Sequence, residues 1–269
     1  MILFSGKISK KHHDRLKAGY PENYFMFCDN MNEAKAHLKE AEILVTYGSD
    51  LTPELIGKAE NLKWIMVMSA GIDKMPVKEI AEKNIIVTNV KGIHKVPMAE
   101  YAISMLLQVY KQAKALIENE QESKWDPAVK MQEISGKTML VLGTGAIGQE
   151  VARLAKAFNM KTIGVSRSGR PVTYFDENHS VADMKGILTQ ADIVVAVLPS
   201  TEETKGLFTF EHFELLPGHA VFLNMGRGDL VRSEDMLKAL QEEQISHIVL
   251  DVFEEEPLPE NHHCGRKKM

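Results

Sequence analysis

An apolar run, TMLVLG (138–143), passes through a glycine-rich turn straight into a helix-periodic stretch, AIGQEVARLAKAFNM. No other feature of the chain restricts its fold so tightly. Gly143, Gly145 and Gly148 stand in G-x-G-x-x-G spacing, with a strand before them and an amphipathic helix after. Gly143 permits the tight turn, Gly145 lets backbone approach a pyrophosphate, and Gly148 lets helix and strand pack closely. The first helical residues, Ala146 and Ile147, offer free N–H groups and the positive end of the helix dipole to phosphates. The plainer alternative is a turn that uses glycine for geometry alone; the flanking strand and helix favour a dinucleotide.

The same alternation runs from end to end. The first half offers the apolar runs ILFSG, YFMFC, EILVTYG, KWIMVMS and IIVTNV; the second offers TMLVLG, KTIGVS, DIVVAVLP, AVFLN and HIVLDVF. Helical periodicity between such runs predicts an α/β protein of two doubly wound parallel-sheet domains, about 1–95 and 96–269. One helix is expected to start at Thr52-Pro53-Glu54, where Thr caps and Pro takes the first turn. A long amphipathic helix is expected from Pro97 to Glu118, apolar at Ala102, Met105, Leu106 and Val109. The polar stretch after it, including SKWDPAVKMQ, reads as an exposed arm.

Composition removes several function classes. The 269 residues carry a net charge of −5, so there is no basic footprint for nucleic acid beyond Arg266-Lys267-Lys268. No apolar run approaches a membrane span and the N-terminus reads as a first strand, so a soluble, cytoplasmic protein is expected. Cys28 and Cys264 are too few for a disulfide framework, and no ligand cluster predicts a metal site.

Cofactor preference is written after the next strand. A site for NAD usually places an acid about 20 residues on to hold the ribose 2′-hydroxyl. Here Ser166, 18 residues past Gly148, is followed by Arg167 and Ser168, with Arg170 beyond. Hydroxyls and guanidinium groups suit a 2′-phosphate, so the reading leans to NADP, with NAD the alternative and a solvated Arg167 the plainer one.

Two further stretches complete a pattern: LNMGRGDLV carries Arg227 between two glycines that would let substrate and cofactor approach, and LDVFEEEPL carries Asp251 and Glu256. With VMSAGID and LPSTEETKGLF, and in this order, the chain resembles the D-isomer-specific 2-hydroxyacid dehydrogenase family. The resemblance implies hydride transfer between NAD(P)H and a small 2-oxo or 2-hydroxy acid such as glyoxylate or hydroxypyruvate, in a homodimer formed through the cofactor domain. It makes 1–95 a flavodoxin-like substrate domain and 96–269 a Rossmann domain. Arg227 would grip the substrate carboxylate and 2-oxo oxygen, and Glu256 would orient a catalytic histidine and favour its protonated form. Ala70 and Gly71 N–H groups would complete the carboxylate site. Asp251 would meet the nicotinamide carboxamide, with Pro199, Thr204 and Met225 lining the cofactor. Glu254 and Glu255 are expected to be solvated.

The chain departs from that family at its end. The family's catalytic histidine lies further on, in a T-P-H-like segment, followed by a helix that returns to the first domain. The printed chain instead closes on HHCGRKKM. With one choice of codons for those letters, a one-base shift of the reading frame gives Pro-Leu-Trp-Lys-Lys-Glu-Asn, a continuation the resemblance would lead one to expect. A frameshift is thus the expectation, against a cloning scar or a metal-binding tail. His262 and His263 are poor substitutes for the histidine, His94 reads as a structural or substrate-rim residue, and His12 and His13 as a solvated helix start. Impaired turnover and exposed apolar surface on the first domain follow. Two rivals stand beside the enzyme: a dinucleotide-dependent sensor or corepressor, and an inactive fragment.

Overall fold

A computed structural model describes residues 1–260. The chain divides into two compact units, Met1–Ile93 and a second that begins at His94.

The first unit is a five-stranded parallel sheet. Its elements are β1 (Ile2–Phe4), α1 (Lys10–Gly19), β2 (Phe25–Phe27), α2 (Met31–Ala34), β3 (Ile43–Thr46), α3 (Pro53–Lys58), β4 (Trp64–Val67), α4 (Val77–Glu82) and β5 (Ile86–Asn89). The strand order β2-β1-β3-β4-β5 is the flavodoxin-like winding. Thr52 starts α3 as expected, its hydroxyl accepting the N–H of Leu55 at 3.3 Å with Pro53 in the first turn. Because side chains alternate across a strand, Leu3, Leu44, Ile65 and Val67 share one face and form the core with Leu38, Ile56 and Ile80. The other face is thinly covered. Ile43, Val45 and Met66 are half-buried there, and Trp64 and Ile86 are 38% and 64% exposed. Only one end of that face has α1 over it, through His13 stacked 3.8 Å from the Phe27 ring. His13 is therefore a packing residue, while His12 stays exposed with Nδ1 2.8 Å from Ser9 Oγ.

The second unit contains α5 (Lys95–Tyr110), α6 (Ala113–Gln121), β6 (Thr138–Leu142), α7 (Ala146–Ala157), β7 (Lys161–Ser166), β8 (Glu177–Ser180), α8 (Met184–Ile187), β9 (Ile193–Ala196), α9 (Phe210–Glu214), β10 (Val221–Asn224), α10 (Ser233–Gln241) and β11 (His247–Leu250). All six strands are parallel in the order β11-β10-β9-β6-β7-β8, the dinucleotide-binding winding. Here both faces are packed. Leu140, Leu142, Val194, Ala196 and Phe222 point into one core, and Met139, Val141, Ile193, Val195 and Leu223 into the other.

Two sequence expectations need correction. The single helix from Pro97 to Glu118 is two helices, because Gln112 adopts left-handed φ 55° and the N–H of Lys111 closes α5 on Leu107 O at 2.8 Å. The apolar stripe ends there as well: α5 buries Ala102, Ile103 and Leu106, whereas α6 buries nothing. β8 was not foreseen, since ENHS is a polar edge strand without apolar alternation. The arm is exposed as expected, with Trp125 at 91%. Among the described residues no helix is long and apolar enough to cross a membrane. His262, His263, Cys264 and the basic run lie outside the described residues.

Candidate dinucleotide and substrate site

The expected site residues of the second unit gather on one edge of its sheet. Leu142, Ala196, Asn224 and Leu250 lie in one cross-strand row. The ladder continues one residue further: Val197 N–H bonds Leu142 O at 2.9 Å, Met225 N–H bonds Ala196 O at 3.1 Å, and Asp251 N–H bonds Asn224 O at 3.0 Å. Gly143, bonded to Val165 O at 2.8 Å, ends the row. Thus the glycine-rich turn, Met225 and Asp251 leave neighbouring strands at the same height. They do so around the β6–β9 boundary, where the winding reverses and α/β sheets bind their ligands.

The turn fits a dinucleotide. Gly143 stands at φ +108°, and a Cβ on Gly148 would overlap the Gly143 carbonyl, so both glycines answer to the chain's own packing. Gly145 does not: a Cβ there would meet nothing within 4 Å. That open space lies at the N-terminus of α7, beside Ala146 and Ile147, where first-turn N–H groups are the donors that a pyrophosphate would accept. After β7, Arg167, Ser168 and Arg170 are exposed, and among the described residues neither arginine has an ion-pair partner.

After β9 the loop is shaped by Thr204, whose hydroxyl donates to Pro199 O at 2.6 Å and whose oxygen accepts Thr201 N–H at 2.8 Å. Thr204 therefore builds the wall that Pro199 belongs to. After β10 comes the turn that presents Arg227. Asn224, 1% exposed, braces it: Oδ1 accepts Gly226 N–H at 3.1 Å and Nδ2 donates to Arg227 O at 2.9 Å. The flanking glycines have a different reason from the expected one. A Cβ on Gly226 would lie 2.7 Å from Leu198 O, and one on Gly228 would overlap the backbone at Phe253. They let the Arg227 turn nest against its own neighbouring loops.

Asp251 has an unforeseen neighbour in Tyr101 of α5. Burial, then the Asp251 carboxylate beside it, raises the Tyr101 hydroxyl above the usual phenol range, so it stays a donor to Asp251. Glu256 accepts Phe253 N–H at 3.1 Å and shapes the loop after β11. Glu254 is exposed, as expected, and also accepts from Ser233 N–H at 2.8 Å and Ser233 Oγ at 2.5 Å. It caps α10, because free N–H groups and a positive helix end attract a carboxylate.

Ala70 and Gly71 belong to the first unit and follow β4. Their carbonyls are held, Ala70 O by Asn89 Nδ2 at 2.6 Å and Gly71 O by Ser69 Oγ at 3.0 Å. Among the described residues neither N–H enters a hydrogen bond with another backbone group. His94 precedes α5 without a side-chain cap bond. Among the described residues no cluster of His, Cys, Asp and Glu could hold a metal ion.

Asn224 and Tyr101 escaped sequence reasoning. An Asn closing a strand before Gly-x-Gly is a signal for a side-chain-braced turn; for Tyr101 there was none, since its partner is 150 residues away.

Comparison with known proteins gives the family. Residues 103–268 match the family described as D-isomer specific 2-hydroxyacid dehydrogenase, NAD binding domain. The chain is 32% identical to a glyoxylate reductase of Thermococcus litoralis over 82% of its length and 69% of the relative's. It superposes on a D-isomer specific 2-hydroxyacid dehydrogenase family protein of Aeromonas salmonicida with TM-score 0.87 at 34% identity, covering 99% of this chain and 86% of the other. An acyclic imino acid reductase solved with NADPH and D-arginine gives TM-score 0.83 at 25% identity over 95% of this chain and 84% of that one.

Proposed function

Because the chain belongs to the D-isomer specific 2-hydroxyacid dehydrogenase family, we propose that it reduces a small 2-oxo acid of the glyoxylate or hydroxypyruvate kind to the D-2-hydroxy acid. The observation that carries this reading is the shared height of the glycine-rich turn, the Asn224-braced Arg227 turn and Asp251 on one sheet edge. A bound nicotinamide dinucleotide supplies the hydride. The protein's part is electrostatic and geometric. Arg227 offers a planar fork of donors to the carboxylate and 2-oxo oxygen, and the Ala70 and Gly71 N–H groups offer two more to the carboxylate. Asp251, steadied by Tyr101, receives the carboxamide. Pro199, Thr204 and Met225 wall the cofactor, and Glu256 is the acid that would orient a catalytic histidine.

NADP is the proposed preference over NAD, supported by the exposed Arg167 and Arg170 and by the NADPH of the imino acid reductase. A cytoplasmic homodimer is proposed, its contact on the apolar hollow of about 530 Å³ between α5 and α7, lined by Ile103, Leu107, Leu154 and Phe158.

Tight binding of a nicotinamide dinucleotide by the second unit is proposed. Of the described histidines in the second unit, His94 precedes α5, His179 lies 3.2 Å from Glu177, His212 caps α9, and His219, bound to Asp192, and His247, opening β11, sit at the amino edge of the sheet. A dinucleotide-dependent binding module is the second reading, favoured by the same histidine placement. Titration with NADPH and NADH, then NADPH oxidation with glyoxylate and hydroxypyruvate, separates the two. Slow oxidation that disappears in Arg227→Ala supports the enzyme; cofactor binding with no oxidation in any 2-oxo acid supports the module.

A further inference from the structure

The first sheet also reverses its winding, between β1 and β3, because the chain leaves β1 for β2 on one side and returns to β3 on the other. Open α/β sheets take ligands outside the carboxyl ends of their strands at such a point. A hollow of about 890 Å³ lies there, wholly within the first unit. Ser5, Gly6 and Lys7 line it after β1, with Asp29 after β2 and Asp50 after β3. The ladder runs on through Ser5: its N–H bonds Val45 O at 3.0 Å, and Cys28 N–H bonds Phe4 O at 3.1 Å. Ser5 therefore stands between Cys28 and Thr46 in one cross-strand row. Thr46 is satisfied, its hydroxyl donating to Asp50 Oδ1 at 3.0 Å and accepting Gly48 N–H at 3.1 Å. Ser5 is not. It is 3% exposed, and its Oγ has no hydrogen-bond partner among the described residues. A buried hydroxyl without a partner is destabilising, and a ligand in the hollow would supply one.

The walls carry charge of both signs. Lys7 and Lys35 are exposed and have no ion-pair partner among the described residues. Asp50 is half-buried, and its second carboxylate oxygen accepts no hydrogen bond among the described residues. Asp29 and Glu54 bring the carboxylates to three. A Cβ on Gly6 would lie 3.0 Å from the Tyr47 ring, so glycine leaves room for that ring to form a wall. Three carboxylates disfavour a polyanion, and among the described residues no cluster could hold a metal ion. A zwitterion answers both signs at once. We propose that this hollow is a second small-molecule site, which binds a free α-amino acid. The ligand's carboxylate accepts the Ser5 hydroxyl and a contact from Lys7, and its ammonium group faces Asp50, which Thr46 holds in place. The proposal goes beyond 2-oxo acid reduction and does not depend on it, since every residue it uses belongs to Met1–Ile93.

The test is calorimetric titration of the full chain with each common L-amino acid, then with the N-acetyl and amide derivatives of the tightest. At least one amino acid is expected to bind at millimolar concentration or below. Each derivative lacks one of the two charges and should bind at least about 10-fold more weakly. Ser5→Ala and Asp50→Asn are each expected to weaken the amino acid roughly 10- to 100-fold, the worth of a hydrogen bond to a charged group. Ser5→Ala removes an unpaired hydroxyl, so the unliganded variant should unfold at the wild-type temperature or above, whereas loss of a purely structural contact would lower it. Arg227→Ala, which disables the proposed 2-oxo acid site, is expected to leave amino acid affinity as it is. No binding by any amino acid up to about 10 mM, affinity indifferent to both Ser5→Ala and Asp50→Asn, or derivatives that bind as well as the parent would each overturn the proposal. Loss of binding in Arg227→Ala also overturns it, because the amino acid would then occupy the 2-oxo acid site.

Discussion

The two sheets of this molecule are wound by the same rule and finished differently. In the second unit, successive residues of β6 point alternately into two dry cores, Met139 and Val141 into one and Leu140 and Leu142 into the other. In the first, Leu44 of β3 is fully buried while Ile43 and Val45 on either side of it are only half covered, and Ile86 lies 64% exposed. Parallel sheets are ordinarily buried on both faces. The lesson is one of support: the sheet packed on both faces holds the edge from which Arg227, Asp251 and the glycine-rich turn emerge, whereas the first sheet is half covered.

The contrast is sharpest for a buried charge. Val195→Lys places an ammonium in a dry core and is expected to unfold the second unit, with loss of circular dichroism and of NADPH binding. Ile86→Lys, on the open face of the first sheet, is expected to change stability by under about 0.5 kcal/mol and to lower binding of a hydrophobic dye. Comparable losses in the two variants would erase the distinction. Next come the cavities. Leu140→Ala and Leu44→Ala are each expected to cost about 2–5 kcal/mol in chemical denaturation. Only Leu140→Ala should weaken the dinucleotide.

Smaller effects sharpen the comparison within the second unit. Asn224→Ala removes both braces of the Arg227 turn, at an expected cost of about 1–3 kcal/mol for groups left unsatisfied. Capture of a 2-oxo acid analogue should fall in that variant while NADPH affinity holds, as separate titrations would show. At the opposite edge of the same sheet, Asp192 binds Thr138 N–H at 2.7 Å and His219 at 2.6 Å. Burial acts to raise its pKa, but these partners with Lys137 outweigh burial and hold it below the usual carboxylate range. A depressed folded-state pKa gives stability that is present above the unfolded value, about 3.9, and is lost as pH falls through the folded one. Asp192→Asn should therefore cost about 1 kcal/mol at pH 7, and the difference from wild type should shrink below about pH 4.

Much of this was legible in the sequence, for identifiable reasons. Strands buried on both faces are continuous apolar runs, so β6, β9 and β10 announce themselves, and Thr52-Pro53 marks a helix start through local chemistry. What stayed hidden depends on distant partners. β8 is a strand only because β7 lies beside it, and Glu254 is a cap only because Ser233 comes within reach. The glycines around Arg227 signalled close approach correctly, but of the protein's own backbone. The break after Tyr110 turns on one left-handed Gln112, a conformation that apolar periodicity does not encode.

The central claim is that the carboxyl edge of the second sheet delivers a nicotinamide hydride to a 2-oxo acid. Deuteride transfer tests it most directly, because accumulated label reveals even slow turnover. The 269-residue chain is incubated with NADPH or NADH deuterated at C4, on either face, and with glyoxylate or hydroxypyruvate, and the products are read by mass spectrometry. The expected result is one deuterium at C2 of the hydroxy acid, from one face of the ring, and none with Arg227→Ala. Tight cofactor binding with no label transferred to any 2-oxo acid would contradict the claim and leave a dinucleotide-binding module in its place.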